Sequence, residues 1–161
     1  MANASSALSI LVVDDSRDTA ESTAEMLSLY GYTVKIAVSG KQALRLAAAR
    51  SPDVILLDIA MPEMDGCEMV RRLIAKADAK RPFLVAVTGR EGEDDRQRAM
   101  QAGVDLYLVK PVEPAALIGM LDRLNRFLAP SIPTTKSKLH TALSTVPSAP
   151  HVENAPALPD Q

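Results

Sequence analysis

Asp14, Asp15, Asp58, Thr88 and Lys110 each stand at the end of a short apolar run. Three carboxylates brought together repel one another, and a cation that joins them relieves the repulsion. Carboxylate oxygens, with water in the open positions, are a donor set for Mg²⁺. A lysine ammonium and a threonine hydroxyl beside them suit the oxygens of a phosphoryl group. Together these residue types can bind a phosphoryl group. Singly, each has an ordinary role. An Asp pair after a strand makes a turn or a cap, a threonine ends a strand, and Lys110-Pro111 reads as a surface loop. The specific signal is the ordered combination at consecutive strand ends.

The apolar runs that must carry these residues are 10–13, 33–37, 54–57, 83–87 and 106–109. Between them lie segments of helical spacing. Residues 17–30 place Ala20, Ala24, Leu27 and Tyr30 on one face, with Ser16 as N-cap and Gly31 as terminator. Residues 40–50 are rich in alanine and leucine and stop at Ser51-Pro52. Val70, Leu73 and Ile74 share a face of a helix over 66–77. A polar helix over 93–102 closes at Gly103, and Pro114 opens a last helix to 128. Strands apolar on both faces, alternating with helices, predict an α/β fold with a parallel sheet covered on each side. Such sheets bind ligands beyond the carboxyl ends of their strands, where the five residues stand.

The chain has 161 residues, 47% of them hydrophobic and 24% charged, with a net charge of −2. One domain is expected from that length. The near-neutral balance gives no electrostatic reason to expect direct nucleic-acid binding. Cys67 is the one cysteine, so no intrachain disulfide can form. No apolar run is long enough for a membrane span. The start lacks the basic and apolar regions of a signal peptide, and the expected location is cytoplasmic. Residues 129–161 hold six of the eleven prolines and no aromatic residue. That composition predicts a domain over 9–128 followed by a disordered Pro-rich tail.

Asp14-Asp15, Asp58, Thr88 and Lys110-Pro111 stand where receiver domains of two-component response regulators have their signature residues. The stretch from Asp58 to Gly66 (Asp-Ile-Ala-Met-Pro-Glu-Met-Asp-Gly) resembles the family's segment after its phosphorylated aspartate. The resemblance covers about residues 9–128. It implies a doubly wound, flavodoxin-like five-stranded sheet of order 2-1-3-4-5 with five helices. It implies Asp58 as phosphoacceptor and Mg²⁺ as cofactor, bound directly by Asp15, Asp58 and the Ala60 backbone carbonyl and through water by Asp14. Lys110 and Thr88 would bind phosphoryl oxygens, and Tyr107 would be a switch aromatic that turns inward. The implied partners are a histidine kinase or histidine phosphotransfer protein, and an output protein reached through helix 4, strand 5 and helix 5. The implied role is a signalling switch with self-catalysed phosphorylation and dephosphorylation, not a dedicated enzyme.

Two settings fit this reading: a free-standing regulator, favoured by Met1 and the natural-looking tail, or a receiver excised from a hybrid histidine kinase. A haloacid-dehalogenase-type phosphatase also forms an aspartyl phosphate, but it needs a second aspartate where Ala60 stands. A pseudo-receiver would lack one of the acidic pair, Asp58 or Lys110. A nucleotide-binding flavodoxin-like protein would carry a Gly-rich loop where Asp14-Asp15-Ser16-Arg17 stands. The remaining features read as structural. Cys67 packs at a helix start, and the methionines fill the core at helical spacing. Glu63 and Asp65 are solvated loop charges, and Glu91 to Arg98 form an exposed helix. His140 and His151 fall in the tail and are not site residues.

Overall fold

The computed structural model describes residues 7–78 and 80–128. Its elements run β1 (Ser9–Val13), α1 (Arg17–Leu29), β2 (Thr33–Ala37), α2 (Gly40–Ala49), β3 (Val54–Leu57), α3 (Gly66–Lys76), β4 (Phe83–Thr88), α4 (Glu93–Ala102), β5 (Leu106–Val109) and α5 (Pro114–Leu128). The five strands are parallel, in the order β2-β1-β3-β4-β5. The expected tail, with His140 and His151, lies outside the described residues.

Alternation along the strands builds two cores. Leu11, Val13, Ile55, Leu57, Leu84 and Ala86 face α2, α3 and α4. Ile10, Val12, Val54, Leu56 and Val85 face α1 and α5, where Leu27, Leu117 and Leu121 meet them. Only the inner strands are apolar on both faces. On β2, Thr33 and Lys35 are exposed, and on β5, Val109 is exposed. Both are edge strands with a neighbour on one side, so their side chains are covered less completely.

The helix ends follow local chemistry. Ser16 caps α1 by accepting from the Thr19 N–H, and Ser39 caps α2 by accepting from the Gln42 N–H. Three helices stop one residue earlier than their spacing predicts. Tyr30, Arg50 and Ala77 are their C-caps, each donating its N–H to a carbonyl of the last turn. Gly103 closes α4 at φ 117°, a left-handed conformation that glycine adopts without a Cβ penalty.

At the amino ends of the strands, Asp53 ties β1 to β3. Its carboxylate accepts from the Ser9 N–H at 2.8 Å and the Ser9 hydroxyl at 3.0 Å, and Lys80 reaches it at 2.8 Å. Burial opposes the charged form, but Lys80 and Ser9 outweigh it and hold Asp53 below the ordinary carboxylate range. A depressed folded-state value stabilises the fold above the unfolded value, and that stability is lost as pH falls through the folded one. Asp53→Ala should therefore cost about 1–3 kcal/mol at neutral pH. Urea unfolding at pH 7 and at pH 3 checks this: the gap between wild type and variant should narrow in acid.

Candidate functional site

Strand register delivers the candidate residues to one edge. Val13 of β1 aligns with Leu57 of β3, so Asp14 and Asp58 follow one step beyond a paired position. Thr88 of β4 aligns with Val109 of β5, and Lys110 follows one step beyond that pair. Backbone hydrogen bonds continue past the strand ends: Asp14 N–H donates to Ala37, Asp58 N–H to Val13, and Lys110 N–H to Thr88. The carboxylates and the lysine thus project from a backbone that is hydrogen-bonded to a neighbouring strand or its end. The Lys110–Pro111 peptide is cis.

Lys110 Nζ lies 3.0 Å from Asp14 Oδ2 and 3.3 Å from Asp58 Oδ2. The other oxygen of each carboxylate accepts a backbone N–H, from Ser16 to Asp14 at 2.9 Å and from Ala60 to Asp58 at 2.9 Å. Asp14 is 6% exposed, and the Asp58 side chain is 12% exposed. Burial alone would lower the Lys110 ammonium, but the hydrogen bond to Asp14 and the charge of Asp58 hold it above its ordinary value. The ammonium therefore remains charged near neutral pH and compensates part of the acidic cluster.

Asp15 completes that cluster from an exposed position. One carboxylate oxygen from each of Asp14, Asp15 and Asp58 lies within 4.8 Å of the others. Three hard oxygen donors around one point, open to water on the Asp15 side, fit Mg²⁺. Ala60 follows on the same turn, and its N–H is the group engaged with Asp58.

Thr88 and Tyr107 meet at a neighbouring residue. Thr88 is fully buried, and its Oγ1 accepts from the Arg90 N–H at 3.4 Å. The Tyr107 hydroxyl donates to the Arg90 carbonyl at 2.7 Å. Its ring is half-buried and already packs against the core on the α2, α3 and α4 side. Burial, and then the charge of Asp95, raise its phenol above the ordinary value.

Several expectations need correction. Asp65 is not simply a solvated charge. It caps α3 by accepting from the Cys67 N–H and pairs with Arg98 at 3.1 Å. An aspartate just before Gly66 and a helical run is itself an N-cap signal. Met61 and Met64 are buried from the β3–α3 loop, so they fill the core without helical spacing. Gly66 is hemmed in by backbone. A Cβ there would lie 2.8 Å from Ile59 Cα and 2.9 Å from the Asp58 carbonyl oxygen. Arg90 pairs with Asp95 at 3.2 Å. Cys67 is buried as expected, and burial raises its thiol.

A family model of the response regulator receiver domain matches residues 10–122. The chain belongs to this family. Among curated relatives, the receiver is 41% identical to the response regulator MprA of Mycolicibacterium vanbaalenii over 121 residues, covering 75% of this chain and 52% of that protein. The chain thus spans about half the length of the MprA relatives it matches. It is 38% identical to an uncharacterized 14.6 kDa protein in the sodA1 3′ region of Leptolyngbya boryana, over 72% of this chain and 88% of that one. Among solved structures, it resembles the chemotaxis protein CheY4 of Vibrio cholerae (TM-score 0.69, 30% identity, 74% of this chain and 99% of that chain). It also resembles the receiver domain of the sensor histidine kinase PA1611 of Pseudomonas aeruginosa (TM-score 0.67, 32% identity, 74% and 98%), which has a magnesium ion coordinated in its active site cleft. No helix among the described residues of this receiver is long and apolar enough to cross a membrane.

Proposed function

We propose that this receiver accepts a phosphoryl group on Asp58 from a histidine kinase or a histidine phosphotransfer protein, and that the phosphoryl state sets the surface of α4, β5 and α5. One observation carries the reading: Lys110 is held between Asp14 and Asp58, with Asp15 completing a three-carboxylate cluster. That arrangement supplies a nucleophile, a fixed cation and a metal donor set at one point.

In the transfer, an oxygen of the Asp58 carboxylate forms a bond to phosphorus while the donor's P–N bond breaks. The departing imidazole nitrogen takes the bonding pair. Asp58 is presented for attack by the Ala60 N–H on one oxygen and by Lys110 on the other. As negative charge arrives, the Lys110 ammonium can follow a phosphoryl oxygen from its place between the carboxylates. Asp14, Asp15 and Asp58, with the Ala60 carbonyl, would hold Mg²⁺, which supplies further neutralisation of the phosphoryl charge. Ala60 offers only a methyl group beside the phosphoryl, so it provides no acid or base for hydrolysis. This supports a switch over a dedicated phosphatase.

Readout is carried by the loop after β4. The Thr88 hydroxyl and the Tyr107 hydroxyl engage the N–H and carbonyl of the same residue, Arg90. If Thr88 moves toward a phosphoryl group, Arg90 moves with it, and Tyr107 must release or follow. The result is a shift between two populations of one fold.

A radiolabelled small phosphodonor with Mg²⁺ tests the proposal. Wild type should take up base-labile label, while Asp58→Asn and wild type in excess EDTA should take up none. Labelling of Asp58→Asn at the wild-type level would exclude Asp58 as the acceptor.

A further inference from the structure

The helix α4 is poorly anchored by apolar contact. Its ten residues, Glu-Asp-Asp-Arg-Gln-Arg-Ala-Met-Gln-Ala, bury only Ala99 and Ala102. By contrast, α3 buries Cys67, Met69, Val70 and Leu73 along with Gly66. A helix that is polar nearly all round must be stabilised by something besides a core face. Its N-cap residue is Gly92, which has no side chain to cap the first turn.

What α4 does have is a row of alternating charges. Asp65 pairs with Arg98 at 3.1 Å, Arg98 lies 3.9 Å from Asp95, and Asp95 pairs with Arg90 at 3.2 Å. The ends of this ladder are fixed to structure. Asp65 is the cap of α3, seven residues beyond Asp58. Arg90 holds Thr88 through its N–H and Tyr107 through its carbonyl. The ladder therefore spans the β3–α3 loop, α4 and the β4–α4 loop, all on the side of the sheet where Tyr107 packs.

We propose that this ladder seats α4 and the β4–α4 loop in the unphosphorylated state, and that its release lets the loop follow a phosphoryl group on Asp58. The switch would then respond to ionic strength as well as to phosphorylation. Single exposed pairs contribute little, but several charges in a network contribute more. Here they act on a helix whose apolar anchorage is two methyl groups. Salt screens exposed charges over about 10 Å at 0.1 M and about 3 Å at 1 M, so added salt weakens the ladder while leaving the buried core intact. By linkage, if phosphorylation weakens the ladder, then weakening the ladder raises affinity for a phosphoryl mimic.

The effect of phosphorylation rests on the proposed function, whereas the seating of α4 does not, so two readouts keep them apart. The first is amide hydrogen exchange of α4 in Arg98→Gln and Asp95→Asn, without any phosphodonor. Both variants should exchange faster along 93–102 than wild type, with unchanged exchange in α3 residues 69–73. Unchanged exchange along α4 in both variants would overturn the ladder. The second is beryllofluoride binding with Mg²⁺ at 50 mM and 500 mM salt. At low salt, Arg98→Gln should bind roughly 3-fold more tightly than wild type. At high salt, the two should converge. Equal affinity at low salt, or a difference that persists at high salt, would overturn the coupling. A wild type that binds no beryllofluoride at all would count against the phosphoryl site and the coupling together, and the exchange result would still decide the ladder.

Discussion

Replacing Lys110 with alanine should slow phosphorylation of Asp58 by a small phosphodonor by about 100-fold or more, while tightening Mg²⁺ binding. The two effects have one origin. Lys110 Nζ touches Asp14 and Asp58 within 3.3 Å and is the cation that those two largely enclosed carboxylates share. In the proposed transfer it would be a fixed positive group beside the incoming phosphoryl oxygens, and its removal would take away that charge stabilisation. In the metal-free protein it does the opposite job. It relieves the mutual repulsion of Asp14, Asp15 and Asp58, and so lowers the advantage that a divalent ion gains by joining them. Lys110→Ala should accordingly be less stable than wild type without metal and should recover part of that loss as Mg²⁺ is added. A thermal-melt titration with Mg²⁺, run beside the labelling rate, separates these outcomes. An unchanged rate with weaker metal binding would contradict the placement of this lysine in the site.

Gly66→Ala should lower stability by about 1–3 kcal/mol, or roughly 4–12 °C in Tm, and should also slow phosphorylation. The added methyl has no free space. It would meet Ile59 Cα at 2.8 Å, the Asp58 carbonyl oxygen at 2.9 Å and the Ile59 carbonyl oxygen at 3.2 Å. All three are backbone atoms, so no side chain can swing aside. The loop that returns from Asp58 to α3 must open instead, and the Gly66 N–H bond to the Ile59 carbonyl opens with it. Any such movement turns Asp58 relative to Lys110 and to the Ala60 N–H. Gly119→Ala in α5 is the matching control. Nothing lies within 4 Å of its Cβ position, and alanine in a helix interior should stabilise by about 0.5–1 kcal/mol. Scanning calorimetry of the two variants and their labelling rates distinguish the cases. A Gly66→Ala protein with wild-type Tm and rate would show that the loop tolerates the methyl group.

Much of the architecture was legible in the sequence, for local reasons. Ile10-Leu-Val-Val13 and Val54-Ile-Leu-Leu57 are apolar on both faces because β1 and β3 are inner strands. Each ends abruptly in aspartate, which marks the functional edge. Ser16 before α1 and Gly103 after α4 carry their capping roles in their residue types. The edge strands were less legible, because Lys35 and Val109 acquire their exposure from the absence of an outer neighbour. The contacts within the site were legible only as a shared location. Lys110 and Asp14 are separated by 96 positions, and no local pattern states that one ammonium will span Asp14 and Asp58. The same holds for Arg98 and Asp65, which meet because α3 and α4 lie side by side on one face of the sheet. The close approach at Gly66 depends on how the loop folds back on Asp58. A glycine in a loop reads equally well as a turn residue.

Borohydride reduction converts an aspartyl phosphate to homoserine, so it marks the acceptor position itself. The protein should be incubated with a small phosphodonor and Mg²⁺, reduced and analysed by peptide mass spectrometry. Homoserine is expected at position 58, with no conversion of Asp14 or Asp15. Homoserine at another aspartate, or none in a protein that has taken up label, would contradict it.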